Sequence, residues 1–254
     1  MKIIISPAKK MNVDTDTMEV TQLPAFLDRT DVLMRWIKAL SFAQAKKLWA
    51  CNEKIARQNF ERFSSMELRK NLTPALLSYE GIQYQYMAPR VFEQAHWDYA
   101  CRHLRILSGF YGILRPLDGV VPYRLEMQAK GAPAGYKDLY DFWGSALYEA
   151  LLAEELAEGG APLFVNLASK EYSRCVEKYV QPEVTLVTCI FGELSDGKVI
   201  QKGTMAKMAR GEMVRYMAEN RVCSAEELQG FDRLGYRFCG ERSGDDEYVF
   251  IKEV

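Results

Sequence analysis

Three consecutive isoleucines, Ile3 to Ile5, stand in the apolar run Met1–Ile5, which ends at Pro7. A short, continuous, β-branched run of this kind suits a strand buried on both faces, and such strands sit inside sheets covered by helices. Pro7 has no N–H for a further ladder bond, so the strand stops there. A chain that opens with a central strand must find its flanking strands and covering helices downstream.

The covering elements are legible. From Pro24 to about Ser65 the pattern is helical in three blocks, one following Thr30, one starting at the candidate cap Ser41 and one at the candidate cap Asn52. Pro74 suits a first helical position. Phe92, Ala95, Tyr99, His103 and Ile106 fall at three- and four-residue steps, which predicts a helix running directly into Leu107. Leu139, Trp143, Leu147 and Leu151 step by four and predict one long helix.

"PLFVNLA" reads as a second buried strand followed by a turn into a helix, and "VTLVTCIFGEL" as a third strand that returns after Asp196-Gly197. A helix over 204–221 follows, Ser224 with Glu227 forms a capping box, and a hairpin over 235–253 closes the chain. The sum is an α/β fold, a single compact domain over 1–254 with a mixed β-sheet surrounded by helices, in which 30–65 is a candidate helical lobe.

Composition narrows the function. The 254 residues carry 33 Lys and Arg against 34 Asp and Glu, so attraction to a polyanion has to come from a local patch. Apolar runs fall far short of the ~20 residues that span a bilayer, and Met1 leads into a strand in place of a signal peptide, which predicts a cytoplasmic protein without a membrane partner. The six cysteines form no C-x-x-C pair and the 2 histidines share one predicted helix, so neither a zinc site, nor a disulfide framework, nor a Ser-His-Asp triad is expected.

Several stretches carry candidate chemistry. "SPAKK" places Lys9 and Lys10 where the first strand ends, the edge at which open α/β sheets bind ligands. "LSGFYGILRPLDG" holds Gly109 and Gly112 three apart, beside Arg115. It reads either as a structural corner or as a phosphate-gripping turn whose N–H groups are exposed by the glycines. "PYRLEM" projects Arg124 and Glu126 to one side, "NLASKEY" offers Asn166, Ser169, Glu171 and Tyr172, and "AKMARG" carries Lys207 and Arg210 on a helix face opposite Met205, Ala209 and Met213. That basic stripe is either a solvated face or a surface for a phosphate backbone.

Together "IIISPAK", "HLRILSGFYGILRPLD", "PYRLEM", "DLYDFWG", "NLASKEY", "AKMARG" and "GFDRLGYRF" resemble the YaaA family of bacterial peroxide-stress proteins over nearly the whole chain. The resemblance implies a distinctive fold with a positively charged cleft and a helix-hairpin-helix element. It also implies DNA binding, DNA protection or repair, and restraint of free intracellular iron. The family's motif residues fall on Lys9, Ser108, Gly109, Tyr111, Gly112, Arg115, Asp118, Tyr123, Arg124, Glu126, Asn166, Ser169, Glu171, Tyr172, Lys207, Arg210 and Gly211. The helix-hairpin-helix would lie at the Gly109 turn or among the helices between Thr30 and Phe63.

Two readings follow. The first is non-sequence-specific binding of duplex or branched DNA through Lys9, Lys10, Arg115, Arg124, Lys207 and Arg210, assisted by the backbone at Gly109 and Gly112, with no cofactor. The second is an enzyme for a small anionic or nucleotide-like substrate. Its pocket would be lined by Ser108, Tyr111, Tyr123, Asn166 and Ser169, with Lys9, Glu126, Glu171 and Tyr172 as candidate catalytic residues. A groove of duplex width favours the first and a closed pocket the second. Direct iron binding has no recognisable ligand set in the sequence.

Overall fold

In the computed structural model, which describes Met1–Lys252, Ile3, Ile4 and Ile5 are wholly buried in strand β1 (Lys2–Ile5). Parallel strands flank β1 on both sides, β2 (Leu104–Ser108) and β4 (Leu163–Leu167). The sheet also contains β3 (Gly112–Leu114), β5 (Thr185–Ser195), β6 (Lys198–Ile200), β7 (Tyr236–Phe238) and β8 (Glu247–Lys252). Its order is β7-β8-β5-β4-β1-β2-β3, with β6 paired to β5. The five central strands run parallel, and β3, β6 and β7 are antiparallel additions. The chain steps from β1 to β2 on one side and later resumes at β4 on the other. The order of strands therefore reverses at β1, and such a switch point leaves a crevice beyond the carboxyl ends of the strands.

Helices surround this mixed sheet. The first three are α1 (Leu27–Lys38), α2 (Phe42–Trp49) and α3 (Glu53–Ser64). Ser41 closes a full capping box with Gln44, and Asn52 accepts the amide of Ile55, so both sequence-predicted caps form. This block joins the main core, where the Phe63 ring meets Phe110 edge-on at 5.5 Å. Next come α4 (Ile82–Met87), α5 (Gln94–His103), α6 (Leu139–Trp143), α7 (Ala146–Ala157), α8 (Lys170–Glu177) and α9 (Gly203–Asn220). Among the described residues no helix is long and apolar enough to cross a membrane.

Three local expectations are corrected. The helix entering Leu107 ends at His103, because Leu104–Ser108 is fully buried and takes its backbone bonds from β1 and β3, a long-range gain that outweighs local periodicity. The long helix expected over 138–156 breaks at Gly144, whose φ of 53° ends α6. Thr73-Pro74 forms a two-residue strand against Gly119–Val120, and only the single turn Ala75–Ser78 follows. The return strand after Asp196-Gly197, the α9 helix, the Ser224–Glu227 hydrogen bonds and the β7–β8 hairpin form as expected. Glu253, the last residue of that predicted hairpin, lies outside the described residues.

Candidate functional site

The crevice at the switch point holds a pocket of about 380 Å³, within the range of small-molecule sites. Its floor is built by two serines at strand ends. Ser6, just past β1, accepts the amide of Ser169 at 2.8 Å and donates to the Ser169 hydroxyl at 3.1 Å. Ser169 also starts α8, so that helix opens toward the pocket. On the walls stand Lys9 and Lys10 from the loop after β1, Gln83 and Tyr84 of α4, Tyr123, Arg124 and Glu126 of the extended "PYRLEM", Glu171 and Tyr172 of α8, and Lys207 and Arg210 of α9. Five separate stretches of sequence converge here.

Glu126 sits between two cations. One of its oxygens is 3.0 Å from Lys9 Nζ and the other accepts from Arg124 Nη2 at 2.8 Å. Lys10 pairs instead with Glu80. Lys9 and Lys10 remain largely open to solvent, at 65% and 77% exposure, and Lys207 is exposed as well. Deeper in the pocket three donors are buried without any acceptor in the protein: Gln83 Nε2, Arg124 Nε and Arg210 Nε. An unpaired buried donor costs about 1–3 kcal/mol, and more when charged, so three on one pocket are a specific feature. Burial also pulls the Arg210 guanidinium below its usual pKa.

The carboxyls differ. Burial raises Glu171, the nearby charge of Glu126 adds to this, and the amide of Gln128 donating at 3.3 Å opposes it. The tyrosines are held neutral by burial, Tyr84 and Tyr172 well above the ordinary range and Tyr123 pushed up to about 12. Their hydroxyls are partly committed, since Tyr84 donates to the Ser6 carbonyl at 2.9 Å and Tyr123 shares bonds of 2.6 Å with Ser108 and 2.8 Å with Tyr79.

Of the residues singled out in the sequence, Lys9, Lys10, Tyr123, Arg124, Glu126, Ser169, Glu171, Tyr172, Lys207 and Arg210 meet at this pocket. Others lie behind it or elsewhere. Ser108 is fully buried under Tyr123, and its hydroxyl accepts the amides of Phe110 and Tyr111. Tyr111 is buried, with its hydroxyl accepting from Val121 N–H. Asn166, inside β4, accepts the Ala168 amide and faces Glu177 and Thr188.

The Gly109 turn joins β2 to β3, two strands, and so is not a helix-hairpin-helix. It is a packed corner. Gly109 accepts from the Trp143 indole at 3.1 Å, and a Cβ there would lie 2.7 Å from the Leu125 carbonyl oxygen. Gly112, at φ 77°, is pressed against Trp143. Arg115 joins Arg105 on the two oxygens of Glu154, both at 2.7 Å, beside a separate small cavity. The other proposed location of that motif contains α2 and α3, joined by a short turn at Ala50 and Cys51.

Sequence reasoning did not single out Ser6, Gln83, Tyr84 or Glu80. Tyr79, Tyr84 and Tyr86 crowd both sides of Gly81 in the sequence, a signal that points to this segment without pointing to Gln83.

Comparison with known proteins gives a consistent picture. A family model described as peroxide stress protein YaaA matches residues 1–242. A UPF0246 protein of Lachnoclostridium phytofermentans is 54% identical over 252 residues, covering 99% of this chain and 96% of the relative. One of Agathobacter rectalis is 51% identical over 254 residues, the full length of both. One of Desulfitobacterium hafniense is 49% identical over 254 residues, covering all of this chain and 99% of the relative.

Proposed function

The chain belongs to the peroxide stress protein YaaA family, and on that premise we propose that it acts by holding a small anionic ligand in the pocket at the sheet's switch point. One observation carries this reading. Gln83 Nε2, Arg124 Nε and Arg210 Nε are buried donors with no acceptor in the protein, and an anion supplies what all three lack. The start of α8 adds the N–H groups of Lys170 and Glu171, which precede Tyr172, the first amide that donates to the Ser169 carbonyl.

Isothermal titration with inorganic phosphate and simple phosphate monoesters tests the reading. Binding that weakens at least tenfold in Gln83→Leu and in Arg210→Gln, with both variants folded, is the expected result. Unchanged affinity in both would refute it.

A second reading has its own support. Lys9, Lys10 and Lys207 are exposed at the pocket, where they can contact phosphates of a DNA strand laid across it without reading sequence. In this reading the pocket is too small for a duplex, the strand stays on the surface, and Arg115, Gly109 and Gly112 take no part. Protection or repair of DNA under peroxide would follow from such contact. Restraint of free iron would be indirect, because Arg124 and Arg210 of this pocket repel a metal ion and Glu126 is already paired with Lys9 and Arg124. Mobility shifts with duplex and branched DNA across a salt series test this reading. Lys9→Glu with Lys207→Glu should abolish the shift, and a shift that survives the double change sinks it.

A further inference from the structure

The pocket carries two chemically opposite sets of groups. Arg210 and Gln83 stand on α9 and α4, which pack against each other, and Gln83 is 7% exposed with its amide nitrogen unpaired. The Ser169 hydroxyl accepts from Ser6, so its own proton is free to be donated. These groups ask for an anion.

Glu126 and Glu171 ask for the reverse. Glu126 spends one lone pair on each cation, and a carboxylate offers about four acceptor positions. Glu171 takes the Gln128 amide and keeps further acceptor capacity. A bare anion entering here gains the donors but meets the Glu126 charge. A ligand with hydrogen-bond donors at its other end turns that repulsion into attraction. The pocket is also lined by Ile82 and Leu125, together with Tyr84 and Tyr123, whose hydroxyls are engaged and which therefore present mainly carbon.

Resting on the anion reading above, we infer that the ligand is a nucleoside phosphate. Its phosphate meets Arg210, Gln83 and the Ser169 end of α8, its ring system lies along the apolar lining, and the amino or ring N–H edge of its base donates to Glu126 and Glu171. The same chemistry is offered by a free nucleotide and by one nucleotide of a strand.

Titration of the protein with AMP, ribose 5-phosphate, adenosine and inorganic phosphate tests this. AMP should bind at least tenfold tighter than each of the other three. Ribose 5-phosphate binding as well as AMP would overturn the inference and leave the anion reading standing. Adenosine binding as well as AMP, or no phosphate-bearing probe binding at all, would remove the anion reading and this inference with it.

Gln83→Leu should weaken AMP and ribose 5-phosphate alike. Glu171→Ala, checked for folding by denaturation, should narrow the gap between them, and an unchanged gap together with an unchanged gap in Glu126→Ala counts against the assignment of the base. Pentaadenylate separates the sources: affinity above that of AMP places the nucleotide in a strand, and affinity at or below it assigns a free nucleotide, the inference holding in both.

Discussion

The Ser6 hydroxyl accepts the amide of Ser169 at 2.8 Å, which fixes the end of β1 against the start of α8 although 163 residues separate them. Ser6→Ala leaves that amide without its partner. A loss of about 1 kcal/mol in denaturant unfolding is expected, with weaker anion binding because α8 is no longer held in place. Stability loss without a change in affinity would separate the serine pair from the site.

Gly211 on α9 touches the Gln83 carbonyl so closely that an added methyl group cannot fit. Gly211→Ala should cost about 1–3 kcal/mol in a denaturation midpoint, the usual range for overpacking, and should also weaken the pocket by moving Gln83. A normal affinity in the folded variant would show that Gln83 is not needed where it stands.

Glu154 holds Arg105, whose side chain is 5% exposed, and also Arg115, which is far more open. Burial pushes the Glu154 carboxyl up, but Arg105 and Arg115 outweigh it and hold it below the ordinary value. Its contribution is therefore present above the unfolded pKa and lost as pH falls through the lower folded one. Glu154→Gln strands a buried guanidinium and should cost about 3–5 kcal/mol. Arg115→Ala should cost less and leave ligand binding untouched, which calorimetry checks directly.

Asp118 gives the opposite pH signature. Burial raises its pKa to about 6, against the Arg115 amide that donates to it at 2.8 Å, and its other oxygen has no partner. Between the ordinary value and about 6 the folded state binds more protons than the unfolded one, so stability falls as pH rises through this window. At roughly 1.4 kcal/mol per pKa unit the penalty reaches a few kcal/mol at neutral pH. Asp118→Asn should lack that decline, and parallel slopes for the two proteins from pH 4 to 7 would contradict the assignment.

The parts of the fold that the sequence makes plain are those decided locally. Ile3–Ile5 demand burial wherever they go, and Ser41 and Asn52 cap helices through side-chain oxygens that accept backbone N–H groups three residues on. What misleads is non-local. Leu104–Ser108 continues a helical spacing until pairing with β1 claims it, and Arg115 reads as an unpaired cation although Glu154, far along the chain, pairs with it. The pocket follows the same rule. Lys9, Glu126 and Arg210 stand out by type, but Ser6 and Gln83 matter only because the topology brings strand ends and α4 together.

Glu126 lies between Lys9 and Arg124, so this pair of cations already has a resident anion. An anion that competes for this pair must displace a tethered carboxylate, whose effective concentration is far above that of chloride or any dilute monovalent ion. Glu126 is thus a built-in counterion for Lys9 and Arg124. Small salts leave it in place, and its lone pairs beyond those two contacts stay open to hydrogen-bond donors. The pocket is protected from the ions of its surroundings by an anion of its own.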